Sequence, residues 1–254
     1  MNFFVEENSV VRKIWGKSDT VLFIFAGASA EFALNKAVDW LYFTGKLPTD
    51  PIGRMFSTIT YARRIIFSNR DDALHAIDTM KNIHAMVEKN RGASIPDWAY
   101  RDVLYMLIYY SIASYELLEK KLTDAEKEAV YNVFYEVGKK MGIKNLPSNY
   151  FEWLPERALH LSEDLKASKF TFDLFKQYKK HLGLLRYGVL IEVQKLLVPK
   201  QVKKELYLYD FTLLVFVIPL YKFGRNFKLG LIIKDLLLPS KYKDNISQLD
   251  VVNN

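Results

Sequence analysis

Apolar residues recur at helical spacing along nearly the whole chain, and alternation with a period of two never extends beyond a few residues, so the pattern predicts an all-α protein. The ends of the helices can be read from their capping residues. Asp19 is placed to cap a helix running to about Phe43, where Gly45, Pro48 and Pro51 stop it. Pro51 suits the first turn of a second helix, to about Phe67. Ser68 or Asn69 opens a third, with Asp71 and Asp72 favouring the dipole of its first turn and Gly92 closing it. Pro96 starts a fourth that reaches about Lys121, and Thr123 with Glu126 forms a capping box for a fifth ending near Gly142. Ser148, Thr171, Gly183, Phe211 and Pro239 mark the starts of the remainder. No linker rich in Gly, Ser or Pro and no repeat divides the chain, so one helical domain over residues 1–254 is expected.

The width of the apolar stripes distinguishes some helices. Residues 103–113, VLYMLIYYSIA, are apolar or aromatic on every side, which marks a helix surrounded by others. Residues 26–30, AGASA, are all small and let a neighbouring backbone or a planar ligand come close; plain helix–helix packing accounts for the same pattern. The longest apolar runs are VLFIFAGASAEFAL, broken by Glu31, and FTLLVFVIPLY from Phe211 to Tyr221. Both are shorter than the roughly 20 residues of a membrane-spanning helix. The second reads as a core helix interrupted at Pro219, with an apolar face for a membrane surface as the alternative. Trp40, Trp98 and Trp153 read as core residues.

Composition narrows the classes. Half the residues are hydrophobic, enough for a large core and an apolar pocket. There is no cysteine, which excludes disulfides, zinc–thiolate sites, iron–sulfur clusters and thiolate-ligated haem. The start, MNFFVEENSVVRK, has no signal-peptide pattern, so a cytoplasmic protein is expected. Charge is uneven: Lys166 to Lys243 holds 16 Lys/Arg against 5 Asp/Glu, whereas residues 1–165 hold 20 against 22. Such a basic C-terminal third is either a solvated face or a surface for anionic lipid, giving peripheral membrane contact. Its lysines are scattered rather than blocked, which speaks against nucleic acid.

One segment carries candidate chemistry. On the helix after Asn69, Ala73, Ile77, Met80 and Val87 fall within about 60° of His84, while His75 lies about 180° away among charges. His84 is therefore expected to point inward, with Met80 one turn before it. On the preceding helix Arg54, Thr58, Tyr61 and Ile65 share a face. A haem takes a neutral imidazole on iron, an apolar slot, and cations or hydroxyls at its polar edge. A core histidine bonded to a carbonyl, and an inward arginine paired with a carboxylate, account for the same pattern. A di-iron bundle would take Glu-x-x-His motifs, which are absent; Asp72 with His75 faces water, and Glu156 and His160 are four apart. Hydrolase elbows and phosphate-binding glycine loops are also absent. His160 and His181 read as surface or helix-capping residues.

The set Asp50-Pro51-Ile52-Gly53-Arg54 with Thr58, then Phe67 and Ala73, then His84 and Val87, resembles the haem-binding core of the latex-clearing (rubber oxygenase) and MpaB-type oxygenase family. Downstream, LTDAEKEAVYNVFYEVGKKMGIKNLPSNYFEWL is similar to the same family, and the likeness spans about residues 20–165. It implies an all-α fold and a haem b whose iron is ligated by His84, with Arg54 and Thr58 as catalytic and cofactor-binding residues beside it. It also implies dioxygen chemistry on an apolar, isoprenoid or lipid-like substrate. The chain departs from the family pattern in three places. Ser57 stands where rubber oxygenases can carry a lysine able to cap the distal iron position, and AGASAEFALNKA replaces a His-Pro pair found in many relatives. The rubber enzymes' distal acid has no matching position here, Glu31 being the nearest candidate. The alternative function is a non-catalytic helical protein that binds a membrane or a protein partner through the basic C-terminal third.

Overall fold

The computed structural model describes residues 2–45 and 49–224. Their regular elements are helices: α1 (Val10–Trp15), α2 (Ser18–Leu34), α3 (Val38–Phe43), α4 (Pro51–Phe67), α5 (Arg70–Arg91) and α6 (Asp97–Leu118). There follow α7 (Asp124–Met141), α8 (Tyr150–Glu163), α9 (Lys169–Leu197), α10 (Lys200–Glu205) and α11 (Leu214–Gly224). Among the described residues, extended backbone pairs only as two isolated bridges, Phe3 with Asn69 and Asn35 with Leu165. The protein is all-α.

Local chemistry sets most helix ends. Asp50 accepts from the Gly53 amide at 2.9 Å with Pro51 at the first position of α4, and Asn69 accepts from the Asp72 amide at the head of α5. Gly92 and Gly142 close α5 and α7 in the left-handed conformation, at φ 69° and 87°, which a side chain would strain. Both halves of the Thr123–Glu126 capping box are formed.

Four ends differ from the expected ones. The first long helix breaks at Asn35, whose ψ of 131° is extended. Asn35 Oδ1 accepts from the Ala37 amide at 2.8 Å, a local bond that competes with helix continuation. Asp19 lies inside the first turn of α2, two residues after the capping position of Lys17. Gly183 does not begin a helix but kinks α9, at φ 76° and ψ 170°. Finally, α11 starts at Leu214 rather than Phe211 and runs through Pro219. The start expected at Pro239 lies outside the described residues.

The core extends from Val5 to Val202, with α6 at its centre. Tyr105, Met106, Ile108 and Tyr110 of α6 are buried, and Trp15 Nε1 donates to Ser111 Oγ at 3.2 Å. Helix α2 packs along α6 through its small residues. The Tyr110 ring lies where a Cβ on Gly27 would collide with it, so AGASA serves close helix–helix approach. The kink at Gly183 lets α9 wrap the opposite side of α2. Thr171 Oγ1 donates to the Ala33 carbonyl at 2.7 Å before the kink, and Gln194 Nε2 donates to Ser29 Oγ at 3.1 Å after it. A smaller cluster of Ile65, Ala73, Ala76, Ile77 and Val137 joins α4, α5 and α7. Trp153 is core, as expected; Trp40 and Trp98 are only half-buried, Trp40 lying 3.9 Å beneath the Arg91 guanidinium.

The segment from Phe211 to Tyr221 is not a core helix. Leu213, Phe216, Val217, Leu220 and Phe223 share its outer face and are 46–71% exposed, whereas Ile218 turns inward. No helix among the described residues is long and apolar enough to cross a membrane.

Candidate functional site

The expected site residues lie on α4 and α5, which pack against each other. His75 is exposed and His84 half-buried, as the helical pattern predicts. His84 lines a cleft of about 260 Å³ between α5, the connector after Gly92, the start of α6 and the end of α7, together with Glu88, Ile95, Tyr100 and Met141. Its ring stands edge-on to Tyr100, with centroids 5.3 Å apart. Glu88, one turn further on, orders the wall by accepting from the Ile95 amide at 2.8 Å. His84 Nδ1 is buried and makes no hydrogen bond. Burial, and then the positive charge of Arg54, push its pKa down against the opposing influence of Glu88, so the imidazole is neutral at pH 7.

Arg54 is half-buried and forms no ion pair among the described residues; burial lowers its pKa as well. Its Nη1 donates to Thr58 Oγ1 at 3.4 Å, and Thr58 Oγ1 donates to the Arg54 carbonyl at 3.2 Å. Arg54 and Thr58 thus act as a pair near His84, but neither belongs to the lining of the cleft. Met80 packs on the small α4–α5–α7 cluster.

A second constellation corrects the expectation for His160, which is 4% exposed rather than at the surface. Glu31, fully buried in α2, accepts from Arg157 Nη1 and Nη2 at 2.5 Å each and from Tyr110 Oη at 3.0 Å. His160 Nε2 lies 3.1 Å from Glu31 Oε1, and His160 Nδ1 lies 2.5 Å from Asp102 Oδ1. Asn35 Nδ2 donates to Asp102 Oδ2 at 2.7 Å. The Arg157 guanidinium lies over the Tyr109 ring, 5.1 Å from its centroid. The backbone break at Asn35 assembles this site. Lys36 N donates to the Asp164 carbonyl and Lys166 N to the Leu34 carbonyl, at 2.9 and 2.8 Å, which clamps the end of α2 to the end of α8.

These contacts set the charge states. Burial alone would raise the Glu31 pKa, but the Arg157 charge and hydrogen bonds from His160 and Arg157 outweigh it and hold the carboxyl at about 2. Burial would lower His160, and its contacts with Asp102 and Glu31 outweigh that, so its pKa is raised. Asp164 is raised by burial and by the neighbouring Asp102 charge. Sequence reasoning noticed Glu31 but missed Arg157, His160, Asp102 and Asn35. The available signal was Arg157, His160 and Asp164 on one face of α8 at spacings of three and four, together with a carboxylate inside an apolar helix that demands a partner.

Among comparisons with known proteins, the family model described as ER-bound oxygenase mpaB/B'/rubber oxygenase, catalytic domain, matches residues 13–164. That span contains both constellations and ends at Asp164. No curated protein and no solved structure matches the chain.

Proposed function

Because the chain belongs to the mpaB/rubber oxygenase catalytic-domain family, we propose that it is a haem b-dependent oxygenase that uses dioxygen on an apolar substrate, with His84 as the iron ligand. The observation that carries this reading is His84 Nδ1: a buried ring nitrogen with no hydrogen-bond partner, on an imidazole kept neutral beside a cleft. A neutral imidazole is the form that ligates iron. Bound haem would supply the capacity to bind and reduce dioxygen, which protein side chains lack.

The chain's own residues would hold and polarise the group. Arg54, without an ion pair among the described residues, offers a cation for a carboxylate or a partly negative oxygen, and Thr58 fixes the guanidinium. Tyr100 and Ile95 give aromatic and aliphatic walls. A cleft of about 260 Å³ is just below the roughly 300–1,000 Å³ of pockets that enclose small molecules. Ser57 leaves the neighbouring position without a lysine, and an isoprenoid or lipid-like hydrocarbon is the proposed substrate class.

The test is an absorption spectrum of protein from haem-supplemented cells, beside His84→Ala. A Soret band in the parent, lost or shifted by several nanometres in the variant, is the expected result. A parent that stays colourless through haem titration would overturn the reading.

A second reading, compatible with the first, rests on the outer face of α11. Phe216, Val217, Leu220 and Phe223 there, and Leu213 just before it, are solvent-exposed, and Lys200, Lys203, Lys204 and Lys222 are near them in sequence. An anionic bilayer surface matches both properties. Flotation with phosphatidylglycerol vesicles is expected to carry the protein upward. Phe216→Ser with Leu220→Ser and Phe223→Ser should weaken partitioning on the order of a hundredfold, at about 1 kcal/mol or more per side chain. Equal flotation of the variant and parent would refute a role for this face.

A further inference from the structure

Next to the Glu31–Arg157 pair, three side chains converge from two helices. His160, Asp102 and Asp164 each offer one ligand atom, and these atoms lie within 4.8 Å of one another. His160 Nδ1 is 2.5 Å from Asp102 Oδ1 and 3.7 Å from Asp164 Oδ2. His160 is 96% buried, by its 4% exposure, yet Nδ1 makes no aligned hydrogen bond. The atoms are close, but the ring nitrogen does not aim an N–H at the carboxylate.

The opposite ring nitrogen explains why. His160 Nε2 faces Glu31 Oε1 at 3.1 Å, and the Glu31 carboxylate, already clamped by Arg157, can only accept. Nε2 therefore carries the proton. Nδ1 is the ring nitrogen that faces Asp102 and Asp164, and it offers them a metal-binding lone pair once it carries no proton. A divalent cation would take the place of a proton among these three ligand atoms.

The surroundings are those of a ligand set held in place. Metal-bound histidine characteristically donates its other N–H to a carboxylate, which fixes the tautomer and the ring orientation. Glu31 does this here, Arg157 and Tyr110 orient Glu31, and Asn35 orients Asp102 through its other oxygen. The clamp between the ends of α2 and α8 holds the Asp164 backbone. Asp164 is 23% exposed at its side chain and provides the path from solvent. We propose that His160, Asp102 and Asp164 form a binding site for one divalent first-row transition-metal ion, separate from the His84 cleft. One nitrogen with two carboxylate oxygens suits Zn²⁺, Mn²⁺ or Fe²⁺ rather than Ca²⁺, which takes oxygen ligands alone. The ion ties α6 to α8, and the site does not depend on haem at His84.

The full-length protein, stripped with EDTA, is titrated with Zn²⁺ and separately with Mn²⁺ by calorimetry, and its melting temperature is followed at saturation. The parent should bind one ion per chain, with the melting temperature rising by several degrees. Asp164→Asn, at the partly exposed ligand, should weaken binding at least tenfold while leaving the metal-free melting temperature nearly unchanged. His84→Ala should bind as the parent does, so failure of the haem reading leaves this test intact. No saturable binding in the parent, or equal binding in Asp164→Asn, would overturn the proposal. So would ¹⁵N spectra of the ion-treated protein showing both His160 ring nitrogens protonated at pH 7, because a proton would then occupy the place of the metal.

Discussion

Arg157→Met is expected to cost about 3–5 kcal/mol of folding free energy, the range found when one partner of a buried ion pair is removed. Glu31 is fully buried, and Arg157 supplies its two shortest hydrogen bonds. In the variant the carboxylate keeps only Tyr110 and His160, neither of which carries the permanent charge that offsets desolvation. Against the 5–15 kcal/mol that stabilises a typical domain, this is a large share. Urea denaturation at pH 7 measures it, as a fall in midpoint without a fall in slope. Adding Glu31→Leu to Arg157→Met should recover part of the loss, because no charge is then left buried. Recovery stays partial, since the Tyr110 hydroxyl and the His160 N–H lose their acceptor. A cost below 1 kcal/mol for Arg157→Met alone would mean that water reaches Glu31.

The contrast between the two constellations shows what a single sequence discloses. Helix starts at Pro51, Arg70 and Asp124, and stops at Gly92 and Gly142, depend on residues within one turn, so capping chemistry revealed them. The orientation of His84 against His75 likewise follows from periodicity along one helix. Glu31 and Arg157 are 126 residues apart, and His160 and Asp102 are 58 apart. Nothing local distinguishes a histidine that will meet a carboxylate across the fold from one on a polar surface, so the HLSEDL setting of His160 read as exposed. The break at Asn35 was hidden for the same reason: the Asp102 carboxylate and the α8 clamp that stabilise it come from elsewhere in the chain. For the Phe211–Tyr221 segment the sequence left two readings, a core helix and an exposed apolar face, and favoured the first because apolar residues ordinarily imply burial; here they do not.

Glu31 also makes the fold acid-labile in a defined window. Its carboxyl is held at about 2 in the folded state, against an ordinary value of 4.5. A depressed carboxylate contributes stability that is fully present above 4.5 and is lost progressively as pH falls toward 2, where the folded form must take up the proton it resists. The difference corresponds to roughly 3 kcal/mol, at about 1.4 kcal/mol per pH unit. Asp164 acts in the opposite sense: its raised pKa lets the folded state accept a proton early, which returns part of the loss near pH 4. His160, also raised, is protonated in both folded and unfolded chains below pH 6 and so adds no slope in this range. The net expectation is a stability that falls most steeply below pH 4. Unfolding free energies from urea melts between pH 6 and pH 2.5, taken in EDTA, measure that slope. Glu31→Gln, less stable at neutral pH, should show a distinctly shallower fall and approach the parent near pH 2.5. Parallel curves for the two proteins would place the acid sensitivity on the surface carboxylates and leave Glu31 without this role.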